Sequence, residues 1–181
     1  MKKNCAFHIV LFCFLYGFLT KTQAQKCIIA NNISEDVLVL YTSQSDSVLV
    51  EYFDVLNYIA NPDLTDTEVN YRIITTLYNI FSPSNTVIYD TLIDKSGLDG
   101  ENYLERYQQQ MKGSFCRIDG TQIVQFGINE TQNQYEFLYS VARSYQKFES
   151  NCHGYSKKLY INISVDFCSR KALIIRNGSK E

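Results

Sequence analysis

At Ser114 the hydrophobic pattern of this chain changes period. Before it, apolar residues recur every third or fourth position; after it, they alternate one by one. The first spacing belongs to helices and the second to half-buried strands. Helices therefore come first and long strands come last. That segregated order excludes a repeating strand–helix–strand architecture and points to an α+β fold.

The alternation predicts strands over 114–128, 134–148, 157–168 and 171–176, with turns at 129–133, 150–156 and Ser169-Arg170. In the second of these strands Tyr135, Phe137, Tyr139, Val141 and Tyr145 share one face. In the third, Leu159, Ile161, Ile163, Val165 and Phe167 do so, while Asn162, Ser164 and Asp166 point away. An antiparallel sheet covered by helices on one side needs this split between an apolar and a polar face. Ahead of the strands, Val48, Leu49, Tyr52, Phe53, Leu56 and Ile59 predict a helix over Asp46–Ile59. Thr65 and Glu68 form a capping box that opens a second helix, and Ser82-Pro83-Ser84 stops it. A strand through Thr86–Ile93, bent or broken at Asp90, precedes a loop over 95–100. A short helix near Glu101–Met111 then buries Tyr103, Leu104 and Tyr107. The predicted architecture is α+β, with helices packed on one face of a curved, mostly antiparallel, cone-like sheet. Nothing marks an internal boundary, so residues 46–181 read as a single domain behind an extended N-terminal segment, 25–45.

This order resembles the nuclear transport factor 2-like superfamily, the α+β cone shared with ketosteroid isomerases and polyketide cyclases. The resemblance covers about Val48 to Ile175. It rests on element order, on Leu49–Leu56 opening the domain, and on Tyr103-Leu104-Glu105-Arg106-Tyr107 as the short helix before the strands. A cystatin-type sheet wrapped on a helix is the alternative, with fewer helices. The resemblance implies an interior able to hold a small apolar ligand. In the isomerases, a carboxylate base and a tyrosine work inside the cone; Asp90 and Tyr139 are the candidates here. The residues themselves favour the plainer readings, Asp90 as a bend or bulge and Tyr139 as a core residue with its hydroxyl at the rim.

The first 24 residues have a separate meaning. Met1-Lys2-Lys3 gives a positive start, Ala6 to Leu19 an apolar run, and Thr22-Gln23-Ala24 a small-x-small cleavage pattern. Together they predict a cleaved secretory signal, too short to span a bilayer. Later apolar runs are shorter still, so no integral membrane segment is expected after cleavage. The mature chain would be secreted or periplasmic, with Gln25 at its start. It carries 14 lysines and arginines against 19 acids, a net −5. That balance, without a basic cluster, argues against nucleic acid as a partner.

Outside the cytosol, Cys27, Cys116, Cys152 and Cys168 are expected to form two disulfides. Their positions favour Cys116–Cys152 and Cys27–Cys168 among three pairings. Their wide spacing disfavours a zinc site, so no metal is expected. His153 is the single histidine left after cleavage, which makes a Ser-His-Asp triad improbable. No phosphate loop or dinucleotide fingerprint occurs, and no cofactor is expected. Asn32, Asn129, Asn162 and Asn177 are N-x-S/T sequons, acceptors for glycans if the source is eukaryotic.

Arg143 is the least expected residue. It falls in register with Tyr139, Val141 and Tyr145, on the face that lines the cone. A buried arginine needs a partner. Either it holds an anionic ligand at the pocket mouth, or it lies past the helix cover and turns to solvent. Tyr139, Arg143 and Asp90 are thus the candidate ligand-binding residues. A non-catalytic binding or accessory module, for a small apolar ligand or a protein partner, is favoured. A cofactor-free lyase or isomerase and a structural homodimer are the alternatives.

Overall fold

The computed structural model describes residues 34–82, 86–147 and 157–177. Its first helix, α1 (Glu35–Ile59), has 25 residues. The Ser34 side chain caps it by accepting from the Val37 amide, and Glu35 and Asp36 place negative charge at the positive end of the helix. One stripe, Tyr41, Ser45, Leu49, Tyr52, Leu56 and Ile59, is buried along its whole length. This corrects the extended segment expected over 25–45, whose described part, 34–45, is helical from Glu35. The early turns hide their helical signal, because Tyr41 and the polar Ser45 carry the stripe there. Val37, Val39 and Thr42 also lower intrinsic helix preference, which burial against the sheet overrides.

Helix α2 (Asp66–Asn79) opens with the expected capping box. The Thr65 hydroxyl oxygen accepts from the Glu68 amide at 3.3 Å, and the Glu68 carboxylate accepts from the Thr65 amide at 2.9 Å. Val69, Ile73 and Thr76 face inward, while Tyr71, Ile74 and Tyr78 remain exposed. The strand expected over 86–93 does break at Asp90. Strand β1 (Val87–Asp90) turns there into β2 (Asp94–Asp99), and the two form an antiparallel hairpin. The loop expected over 95–100 is therefore mostly strand. Gly97 makes this workable: its φ is +85°, and a Cβ there would sit 2.5 Å from the Tyr89 ring. Asp99 then caps α3 (Gly100–Met111), which buries Tyr103, Leu104 and Tyr107.

Four strands follow: β3 (Ser114–Asn129), β4 (Gln134–Lys147), β5 (Lys157–Asp166) and β6 (Ala172–Asn177). With the first hairpin they build one curved sheet in the order β2-β1-β6-β5-β4-β3, antiparallel except where β6 runs parallel to β1. The helices pack on one face of it. Leu56, Tyr103, Phe137 and Ile163 meet in the core, whereas Leu77 is only partly buried. Among the described residues, no helix is long and apolar enough to cross a membrane.

Candidate functional site

Strand β4 alternates except at Ser140, which is buried as well, and its inward face carries Tyr139, Val141, Arg143 and Tyr145 in succession. Arg143 points into the core and is 1% exposed. Its partner is Asp90, brought there because β1 ends at that residue. Arg143 Nη2 donates to Asp90 Oδ1 at 2.5 Å, and both side chains are buried. The Leu92 amide donates to the same oxygen at 3.1 Å. The other carboxylate oxygen accepts from the Tyr103 hydroxyl at 3.0 Å, and Tyr103 accepts from Tyr52 at 3.1 Å. One polar centre thus joins β1, β4, α3 and α1.

Tyr107, Tyr145 and Cys116 are its buried neighbours. Arg143 Cζ lies 5.4 Å from the Tyr145 ring centroid. Burial holds the hydroxyls of Tyr52, Tyr103, Tyr107 and Tyr145 above the ordinary tyrosine range and pushes the Cys116 thiol up to about 11. Burial opposes the charge of Arg143, but Tyr145 and Asp90 outweigh it and hold the guanidinium above its ordinary value. Among the described residues, Arg143 Nε and Nη1 have no hydrogen-bond partner.

Two of the three candidate residues therefore meet. Sequence reasoning offered Arg143 an external anion or solvent, but its counter-ion is internal, and Asp90 is the residue that supplies it. Tyr139 stands elsewhere. Its hydroxyl donates to Asp46 Oδ1 at 2.7 Å and shares a 2.5 Å hydrogen bond with Ser45 Oγ, fastening β4 to α1. Tyr103, read from the sequence only as core, is the tyrosine that reaches the carboxylate. Its position on the apolar face of α3 gives no signal that separates the two roles.

Chemically this centre is occupied with itself. A carboxylate acting as base must reach a substrate proton, and Asp90 is enclosed by an arginine, a tyrosine and a backbone amide. No group of three or more histidine, cysteine or acidic side chains that could hold a metal occurs among the described residues. Cys116 is buried and joins no disulfide among the described residues; Cys152 and Cys27, its and Cys168's expected bridge partners, lie outside the described residues, as do His153 and Asn32.

The open features lie elsewhere. A cleft of about 510 Å³ on the outer sheet face is lined by Gln125, Gly127, Asn129, Glu136, Leu138 and Asn162. Asn129 donates to Glu136 at 2.8 Å and Asn162 at 3.4 Å, so two of the sequon asparagines flank one carboxylate. Asn177, the last described sequon residue, ends β6. A shallower hollow of about 410 Å³ lies between α1 and Arg72 of α2. Neither is lined by Asp90 or Arg143. Strand β3, at one edge of the sheet, leaves Phe115, Val124, Phe126 and Ile128 exposed. No family model matches this chain, and no curated protein matches it.

Proposed function

We propose that this chain is an exported, non-catalytic binding module that engages a protein partner. The observation that carries the reading is the filled interior. Arg143, Tyr52, Tyr103, Tyr107 and Tyr139 are all fully buried where a cone-shaped fold would keep its ligand pocket. What remains for recognition is surface, and the apolar positions of β3 offer it. Three helices over a curved sheet support a nuclear transport factor 2-like build above a cystatin-like one. The N-terminal pattern supports export to a secreted or periplasmic location, and a Cys27–Cys168 bridge would suit that compartment.

Native mass spectrometry of the protein isolated from its own source tests this. The expected result is a chain beginning at Gln25 that travels with a second polypeptide. A stoichiometric small apolar molecule on an otherwise solitary chain would overturn it in favour of the ligand-carrier reading. Turnover of a carbonyl substrate that depends on Asp90 would overturn it in favour of a lyase or isomerase.

A further inference from the structure

The two edges of the sheet are not alike. Strand β2 is short, and Gly97 interrupts it in a left-handed conformation. Its residue Asp94 is bound to Ser96 and Arg106, and Asp99 is spent on capping α3. Strand β3 is 16 residues long. Natural edge strands are blunted with lysine, proline, inward charges or bulges. From Gly120 to Asn129 this one has no charge and no proline. Its protection is two bulges, at Asp119 and Val124. Past the second bulge, Gln125–Asn129 run in unbroken register with Gln134–Leu138. Here Phe126 is 59% exposed and Ile128 42% exposed. They share the helix-side face, where the Phe126 ring stacks on Tyr135 at 6.2 Å.

We propose that Gln125–Asn129 pairs antiparallel with the same stretch of a second copy of this chain, about a two-fold axis through Gly127. The inference rests on the protein-partner reading and names the partner. In this register Phe126 meets the partner subunit's Ile128, and Ile128 meets the partner's Phe126. An aromatic side chain against a β-branched one is a favourable cross-strand pair, and the symmetry supplies it twice. Gln125 meets the partner's Asn129, so amide faces amide. A mature chain of net −5 would normally repel its own copy, but the pairing stretch itself is uncharged. With β3 the one long unblunted edge among the described residues, the assembly closes at two and stops growing. An unrelated strand would gain nothing from this symmetry, which favours a second copy as the occupant. Five residues of ladder make a small interface, below the roughly 1,200 Å² of a standard one, so the dimer is weak and exchanges with monomer.

Sedimentation velocity on the purified mature chain, from micromolar to millimolar concentration, tests the pairing. The expected result is a mass rising from one chain toward two. Phe126→Lys and Ile128→Lys should each weaken the dimer by roughly tenfold. Tyr78→Lys, at a more exposed aromatic on α2, should leave it unchanged. Thermal melts confirm that each variant folds, and either β3 variant suffices if the other does not. A monomer at every concentration overturns the proposal, as does a dimer that survives both β3 substitutions or growth beyond two chains. If the purified chain stays monomeric while the native source yields a different polypeptide bound to it, the second-copy proposal falls and the protein-partner reading stands. A solitary native chain carrying a small ligand sinks both.

Discussion

Arg143 and Asp90 stabilise the fold only as a pair. Removing one partner from a buried ion pair leaves an uncompensated charge, at a cost of about 3–5 kcal/mol. Arg143→Met is therefore expected to destabilise on that scale in urea denaturation. Combining it with Asp90→Asn should cost less than the two single losses added together, by about 0.5–3 kcal/mol. Strict additivity would mean that the two side chains act independently. The tyrosines around them have a consequence for pH. In an unfolded chain cysteine ionises near 9 and tyrosine near 10, whereas in the fold burial pushes Cys116 up to about 11 and holds Tyr103 and Tyr107 well above their ordinary value. The unfolded state loses its protons first, so this stabilisation is complete below about pH 9 and drains away as the pH rises through 10 and 11. Denaturation midpoints at pH 8 to 11 should fall only at the alkaline end. Part of the tyrosinate absorbance, that of the buried Tyr103 and Tyr107, should therefore appear only with unfolding. A single smooth titration near 10 would contradict the enclosed centre.

Among the elements, α1 depends most on the sheet. Its N-terminal half is held by Ser45 and Asp46 gripping the Tyr139 hydroxyl, so Tyr139→Phe removes two hydrogen bonds and keeps the ring. The expected loss is about 1–3 kcal/mol, with amide exchange accelerating most over 35–46. Uniform acceleration across the domain would place the anchor elsewhere. At the start of α2, Thr65→Ala should cost about 1 kcal/mol by deleting the cap. These two helices also show what a sequence can and cannot display. The capping box of α2 is local chemistry and was readable as such, as were the alternating faces of β4 and β5. The first turns of α1 were not, because Ser45 belongs to an apolar stripe only by virtue of Tyr139, a partner far along the chain. Strand β2 was hidden for a related reason: Asp94-Lys95-Ser96-Gly97 has turn composition, and it becomes strand only by pairing with β1. The polar centre was half legible. Asp90 and Arg143 each stood out as misplaced in its pattern, but a pattern along one strand cannot say that two anomalies answer each other across the sheet.

For the whole molecule, the compartment claim has its own test. N-terminal sequencing of the natural protein should begin at Gln25, and peptide mapping without reductant should find Cys168 joined to Cys27. A retained segment 1–24 would remove the case for export. The strand order carries a further consequence, one of timing. Strand β6 is the last element of the described chain, yet it sits between β1 and β5 near the middle of the sheet. It is the keystone that joins the β1–β2 hairpin to the β3–β4–β5 meander. A chain emerging from its ribosome or a translocation pore N-terminus first can assemble those two pieces separately, but it cannot join them until residues 172–177 have arrived. Such late, distant pairing makes folding slow, and a chain released without its final strand would be left as two half-sheets, each with a raw edge.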